Sequence, residues 1–313
     1  MNFAQLDYFR GLIEFGSFSK AAQALGVSQP ALSLQIQKLE DELEFQLVDR
    51  TRRPLELTDE GQVFYQKTLH ILQEVEQLKD IVLELSDETK GELKVGIIPT
   101  LSPYLVPLFF QRLKDDYPEF YIDVYELKTE VILDRLKRGQ LDCGILATPI
   151  SEQNFRIDPL FYERFFAYVS DRHELYGSKA IDVSAIDELD IWYLEEGNCF
   201  QNQVNSICNI VPRTDKERHL TYHCNSIDSL RHIVEYRHGI TFVPELATIN
   251  IPAEQEEMIK ELKGQYPVRE ISTVVLKHYP KQRLVDALSK IVQLSVPKRM
   301  LTKPAAWVVD TKV

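Results

Sequence analysis

The chain has 313 residues, longer than one ordinary core, and its 44% hydrophobic and 27% charged residues are the balance of a folded protein of two or three units. A formal net charge of -12 excludes a uniformly polyanion-binding surface, so any nucleic-acid contact has to be local. Four cysteines without a Cys-x-x-Cys pair argue against a disulfide framework or a zinc cluster, and no signal-like start or apolar run of about 20 residues points to export or a membrane, so a cytoplasmic chain without metal, cofactor or membrane partner is expected.

Leu6, Phe9, Leu12 and Ile13 have helical spacing, and Phe15-Gly16-Ser17 closes that helix. A short second helix starts near Ser19, with Ala21, Ala22 and Leu25 for close packing, Gly26 for a turn, and Ser28 as cap of a third helix that tolerates Pro30 in its first turn. In that third helix Leu32, Ile36, Leu39 and Leu43 make a core stripe, while Pro30, Ser33, Gln37 and Asp41 share another face. Residues 46–57 read as a hairpin with the basic tip Arg50-Thr51-Arg52-Arg53-Pro54. A long helix begins near Thr58. Its Phe64, Thr68, Ile71, Val75, Leu78, Val82 and Leu85 alternate steps of four and three, the pattern of a coiled-coil seam, which predicts a homodimer.

Beyond a polar hinge at Ser86 to Gly91, strand-like and helix-like segments alternate. Strands are expected at 93–98, 121–127, 143–146, 165–169, 191–194, 240–244 and 272–276, and helices at 105–116, 130–138 and 282–294. This alternation predicts an α/β unit with a largely parallel sheet, followed by a loose tail from Pro297. The predicted division is therefore a winged helix-turn-helix at 1–58, a dimerising linker helix at 59–88, a regulatory α/β region at 89–297 and a tail at 298–313.

A helix-turn-helix places the start of its second helix in a major groove. Gln29 and Ser33 are thus expected to reach base edges, with Ser28, Pro30 and Gln37 beside them, whereas Arg50, Arg52 and Arg53 meet the backbone of double-stranded DNA. Residues 1–58 carry six basic and eight acidic side chains, so affinity has to come from a few phosphate contacts doubled by dimerisation.

Phe18-Ser19-Lys20-Ala21-Ala22, Ser28-Gln29-Pro30-Ala31-Leu32-Ser33 and Leu57-Thr58-Asp59-Glu60-Gly61 resemble the signature of the LysR-type transcription regulators over nearly the whole chain. The resemblance implies a winged head, a linker-helix dimer that the regulatory regions join into a homotetramer, a regulatory domain of two α/β lobes similar to type 2 periplasmic binding proteins, and contact with RNA polymerase.

In a doubly wound sheet the binding crevice lies beyond the carboxyl ends of strands, where helix amino termini offer free N–H groups. Ile98-Pro99-Thr100-Leu101-Ser102, Leu127-Lys128-Thr129 and Glu196-Gly197-Asn198-Cys199-Phe200 fit that description. Taken singly, Thr100 and Thr129 read equally well as helix caps and Cys199 as a small buried residue. Together with Gln203 and Cys208 they resemble the peroxide-sensing branch of the family, in which one cysteine is oxidised and a second traps it as a disulfide. The resemblance gives these roles to Cys199 and Cys208, adds Arg269 as support for the thiolate, and makes hydrogen peroxide the signal. Asn198 and Asn202 stand where better-known members have histidine and aspartate. Asn198 donates hydrogen bonds but carries no charge. Glu195 and Glu196 oppose a thiolate if close. Cys143 and Cys224 fall in strand-like segments and read as structural. The competing readings are a regulator that takes a small organic effector between its lobes, with the cysteines incidental, and a thiol peroxidase enzyme.

Overall fold

A computed structural model describes the chain apart from residues 53–54, 85–88, 188–189, 196–198, 209–221, 223, 265–266, 278, 306 and 312–313. It divides into two compact units, Met1–Asp87 and Glu88–Val313.

In the first unit α1 (Phe3–Phe15) opens on a reciprocal cap between Asn2 and Gln5, and α2 (Phe18–Ala24) is capped by Ser17. Helix α3 (Gln29–Leu43) starts at Ser28, whose hydroxyl accepts from the Ala31 N–H at 3.3 Å. Phe9, Leu12, Ala21, Ala22, Leu32, Ile36, Leu39, Leu47 and Val48 form the core. The wing is β1 (Val48–Asp49) antiparallel to β2 (Glu56–Leu57). Helix α4 (Asp59–Glu84) follows. Thr58 donates to the Gln46 carbonyl at 2.6 Å and accepts the Gly61 N–H at 2.9 Å, which fixes the helix start against the wing. Gly61 is required there, because a Cβ would lie 1.9 Å from the Leu47 carbonyl oxygen.

The seam expected along α4 is corrected at its start. Phe64 packs its ring on Phe9 at 5.7 Å and joins the head's own core. Farther along, Ile71 and Leu78 are exposed and Val75 is half-buried. Leu85 lies outside the described residues.

The second unit begins with β3 (Gly91–Ile97), α5 (Ser102–Asp116), β4 (Phe120–Glu126), α6 (Thr129–Lys137) and β5 (Cys143–Thr148). The long strand β6 (Phe155–Val169) leads to β7 (Ala180–Ile181), α7 (Cys199–Cys208), α8 (Ile227–Tyr236), β8 (Ile240–Pro244), α9 (Ala253–Glu256) and β9 (Ile259–Leu262). Strand β10 (Val268–Leu276) and α10 (Gln282–Ser295) close the unit. The strand order is β4-β3-β5-β10-β6-β9-β7, with β8 also on β6. Two hydrophobic cores result, one around β3, β5, α5, α6 and α10, the other around the distal half of β6, β8, α7 and α8.

The sheet is mixed rather than largely parallel. β3 pairs in parallel with β4 and β5, and β7 with β9, but β10 runs antiparallel to β5 and β6, and β6 antiparallel to β8 and β9. The reason is that β6 and β10 serve both lobes, so the chain crosses by a direct antiparallel pairing, without a helical crossover. Ile191–Leu194 is reduced to one bridge, Ile191 with Ile240. Cys143 is buried in β5, whereas Cys224 is half-buried outside any strand. The segment from Pro297 is not loose among its described residues. Met300, Val309 and Thr311 are buried, and Val308 bridges Val268. No described helix is long and apolar enough to cross a membrane.

Candidate DNA interface and thiol site

On the head, Ser28, Gln29, Pro30 and Gln37 are exposed and Ser33 half-buried along one face of α3. The Ser19 hydroxyl donates to Gln29 Oε1 at 3.4 Å, so the amide is oriented from the preceding helix. The wing arginines differ from one another. Arg50 donates to the buried Glu40 at 2.6 Å and lies 5.6 Å above the Phe18 ring, while Glu40 also accepts the Leu47 and Val48 N–H groups. Arg50 therefore ties the wing to α3 while its side chain stays 41% exposed. Arg52 is 64% exposed, with Asp49 and Glu56 only at 3.8 Å. Arg53 lies outside the described residues. Glu40 was not singled out in the sequence because one acidic residue on a polar helix face carries no mark of burial.

In the second unit the loop after β3, the start of α6, the start of α7 and β10 converge. Cys199 is the first residue of α7 and is buried. The Thr129 hydroxyl donates to its sulfur at 3.6 Å. Arg269, fully buried in β10, donates from Nη1 to the Thr100 hydroxyl at 3.0 Å and from Nη2 to the Thr100 carbonyl at 3.2 Å. Its Nε donates to Glu163 at 2.6 Å, and its guanidinium lies 5.1 Å above the Phe200 ring. Because Thr100 Oγ1 already accepts from Arg269, its O–H is left to donate.

Burial pushes the Cys199 thiol up from its ordinary value, against the Thr129 hydroxyl, the Arg269 charge and the Phe200 and Cys199 N–H groups, which pull it down. Glu163, 106 residues from Arg269, is the residue that sequence reasoning missed. Burial raises its carboxyl, and Arg269 and the Leu246 N–H oppose that rise. Glu195 is engaged by Lys128 at 3.0 Å and by Asn225 at 2.6 Å, so its charge is compensated. Gly197, Asn198 and Glu196 lie outside the described residues.

The segment between the cysteines is a helix with a core face, since Phe200 and Val204 are buried. Cys199 and Gln203 lie one turn apart on the same side. Gln203 is fully buried; its Nε2 donates to the Val309 carbonyl at 3.1 Å, and its Oε1 has no partner among the described residues. A buried carbonyl left unpaired costs about 1–3 kcal/mol, which a hydrogen-bond donor reaching it would recover. Cys208 ends α7.

One further cluster was not foreseen. Asp190 stands 3.3 Å from both His173 Nε2 and His238 Nδ1. His173 Nδ1 accepts the Leu175 N–H at 3.1 Å, which leaves Nε2 to carry the proton and donate to Asp190. A metal on Nε2 would require a proton on Nδ1 facing that N–H, so the trio is a hydrogen-bonded brace.

A winged helix-turn-helix on a long helix, followed by a two-lobed α/β unit, defines a one-component DNA-binding transcription regulator. Residues 3–62 match the bacterial regulatory helix-turn-helix protein of the lysR family and residues 86–295 the LysR substrate binding domain. The chain belongs to the LysR family. It is 34% identical over 250 residues to a hydrogen peroxide-inducible genes activator of Haemophilus influenzae, covering 80% of this chain and 82% of that protein. It is 32% identical over 256 residues to the DNA-binding transcriptional dual regulator OxyR of Escherichia coli, with 82% of each covered. Full-length OxyR of Pseudomonas aeruginosa, in a mutant form, superposes with a TM-score of 0.79 at 26% identity, covering 97% of this chain and 98% of that one. A hydrogen-peroxide-bound cysteine mutant of OxyR from Corynebacterium glutamicum gives 0.60 at 25% identity over 94% and 92%.

Proposed function

We propose that this regulator senses hydrogen peroxide through Cys199 and Cys208. The carrying observation is the buried thiol at a helix amino terminus, hydrogen-bonded by Thr129, with the Gln203 carbonyl, unpaired among the described residues, one turn along and Arg269 behind Thr100. The pocket offers a peroxide molecule donors from Thr100 and Thr129 and an acceptor from Gln203, the complement of its own two O–H groups and lone pairs. The Cys199 thiolate attacks one oxygen and the O–O bond breaks. One oxygen stays on sulfur as a sulfenic acid, and the other leaves as hydroxide and is protonated to water. The Cys208 thiolate then displaces the sulfenic oxygen, which departs as a second water. Two thiols are oxidised to one disulfide and one peroxide is reduced to two waters.

The supporting relatives are named as peroxide-inducible activators, and a peroxide-bound structure is among the similar folds. We read the disulfide as a signal passed to the DNA-binding head, not as an enzymatic turnover, in a cytoplasmic protein that dimerises through α4, forms a tetramer and acts on RNA polymerase. The exposed Ile71 and Leu78 support the α4 contact, and exposed Phe110 and Tyr121 on α5 and β4 offer a second apolar face.

Brief peroxide treatment followed by peptide mass mapping tests the reading. Cys199→Ser should abolish the response, and Cys208→Ser should hold a trappable sulfenic acid without a bridge. A Cys199 that stays reduced while the DNA footprint shifts would refute it and favour an organic effector.

A further inference from the structure

The chain segment from Trp307 to Thr311 touches three parts of the regulatory unit. Against β10, the Val268 N–H donates to the Trp307 carbonyl at 3.2 Å and the Val309 N–H donates to the Val268 carbonyl at 2.9 Å. Against the loop after β5, the Thr311 hydroxyl donates to the Pro149 carbonyl. Against α7, the Val309 carbonyl accepts Gln203 Nε2 at 3.1 Å and the Thr311 carbonyl accepts Asn202 Nδ2 at 3.3 Å. Val309 and Thr311 are fully buried, so these bonds are shielded from water.

Two consequences meet here. The Val309 carbonyl occupies the donor end of Gln203 and so fixes the orientation of the amide, whose oxygen has no partner among the described residues, one turn along α7 from Cys199. At the same time the two cysteines bound a helix of ten residues, whose ends are about 13.5 Å apart in Cα position at 1.5 Å per residue. A disulfide needs that separation below about 7 Å. Helix α7 therefore has to give up its form for the bridge to close. Asn202 and Gln203 sit in its first half, and side chains carried by an unwinding helix cannot keep fixed acceptors.

We propose that residues 307–311 are a strap belonging to the thiol site: it positions Gln203 in the reduced protein and is released when the Cys199–Cys208 bridge forms. The proposal rests on the redox reading above. Gln203 is a positioning partner of the strap, and the strap's own part is played by backbone carbonyls, so the side-chain identity of residues 307–311 matters less than their docking.

Hydrogen exchange of the full-length protein, read by mass spectrometry before and after one equivalent of peroxide, tests it, with the disulfide mapped in the same digest. Amides of residues 307–311 should be protected in the reduced protein and lose that protection in the fraction that carries the bridge. A mapped bridge with unchanged protection overturns the strap and leaves the redox reading standing. Absence of any bridge overturns both, and the mapping distinguishes the two failures. Kinetics supply a second reading. A chain ending at Lys303 should form the sulfenic acid about tenfold more slowly, the effect of losing one hydrogen bond at Gln203, and should close the bridge faster. Thr311→Val, which removes only the bond to Pro149, should shift both rates in the same two directions by a smaller factor and keeps the test valid if the truncated chain does not fold. Two rates that fall together, or neither changing, would refute the positioning role.

Discussion

Arg50 and Arg52 occupy the same basic tip and do different work. Arg50 is the counter-charge of a buried carboxylate, and Arg52 projects into solvent. Arg50→Ala should lower the stability of the head by about 1–3 kcal/mol, as for removal of one partner from a buried charged hydrogen bond. Arg52→Ala should leave the melting temperature unchanged and reduce the salt slope of DNA binding by about one unit. Thermal unfolding and salt-dependent titration separate them, and equal melting losses in both would remove the distinction. Cys199 is a second case in which surroundings decide behaviour. Burial holds its thiol above the ordinary value, so the thiolate fraction is small at neutral pH and rises about tenfold per pH unit below the pKa. The rate constant with peroxide should therefore climb through pH 7 to 9 in stopped-flow measurements without reaching a plateau. A plateau below pH 8 would mean that the thiolate is held by more than Thr129, Arg269 and the helix N–H groups. The chemical types at this site were legible in the sequence, since two threonines, a glutamine and two cysteines resembled a known pattern. Glu163 was not, because its partner is 106 residues away and one glutamate among the charged residues of β6 carries no mark of burial.

Among the elements, α3, α6 and α10 begin or end within two residues of the positions their periodicity suggests, because caps and apolar stripes are local signals. β6 was legible only at 165–169, although it starts at Phe155: Arg156 and Asp158, which pair with each other, and Glu163 and Arg164, which pair with Arg269 and Glu261, interrupt the apolar pattern. The strap was hidden for a similar reason, since its order comes from one bridge to Val268 and from carbonyls that serve α7, and backbone acceptors have no sequence signature. Helix α4 is the element whose outer stripe remains open, with Leu78 63% exposed and Ile71 39% exposed on either side of Val75. Val75→Asp places a charge at the centre of that stripe, against its own copy in a symmetric pair. It should weaken association about a hundredfold or more and shorten the DNA footprint, as judged by sedimentation and footprinting. An unchanged assembly would place the dimer contact off α4.

At the scale of the molecule, charge and architecture assign different tasks to the two units. A head with more acidic than basic side chains relies on a few well-placed contacts, and in the proposed dimer the spacing between two heads would matter as much as the affinity of either. The regulatory unit has one long strand, β6, running through both of its cores with β10 paired along it, and the proposed thiol site lies at the margin where α7, β10 and the strap meet.

Gly61 gives the head a mechanical property. With the start of α4 seated on the Leu47 carbonyl and Thr58 bonded to Gln46, wing and helix have no joint between them. The 26-residue helix is then a lever about 39 Å long. A tilt of about ten degrees imposed at its far end sweeps the wing through about 7 Å, the rise of about two base pairs. In the dimer proposed above, a pair of such levers would act as a caliper on DNA, with a small angular change enough to move a wing from one phosphate to another.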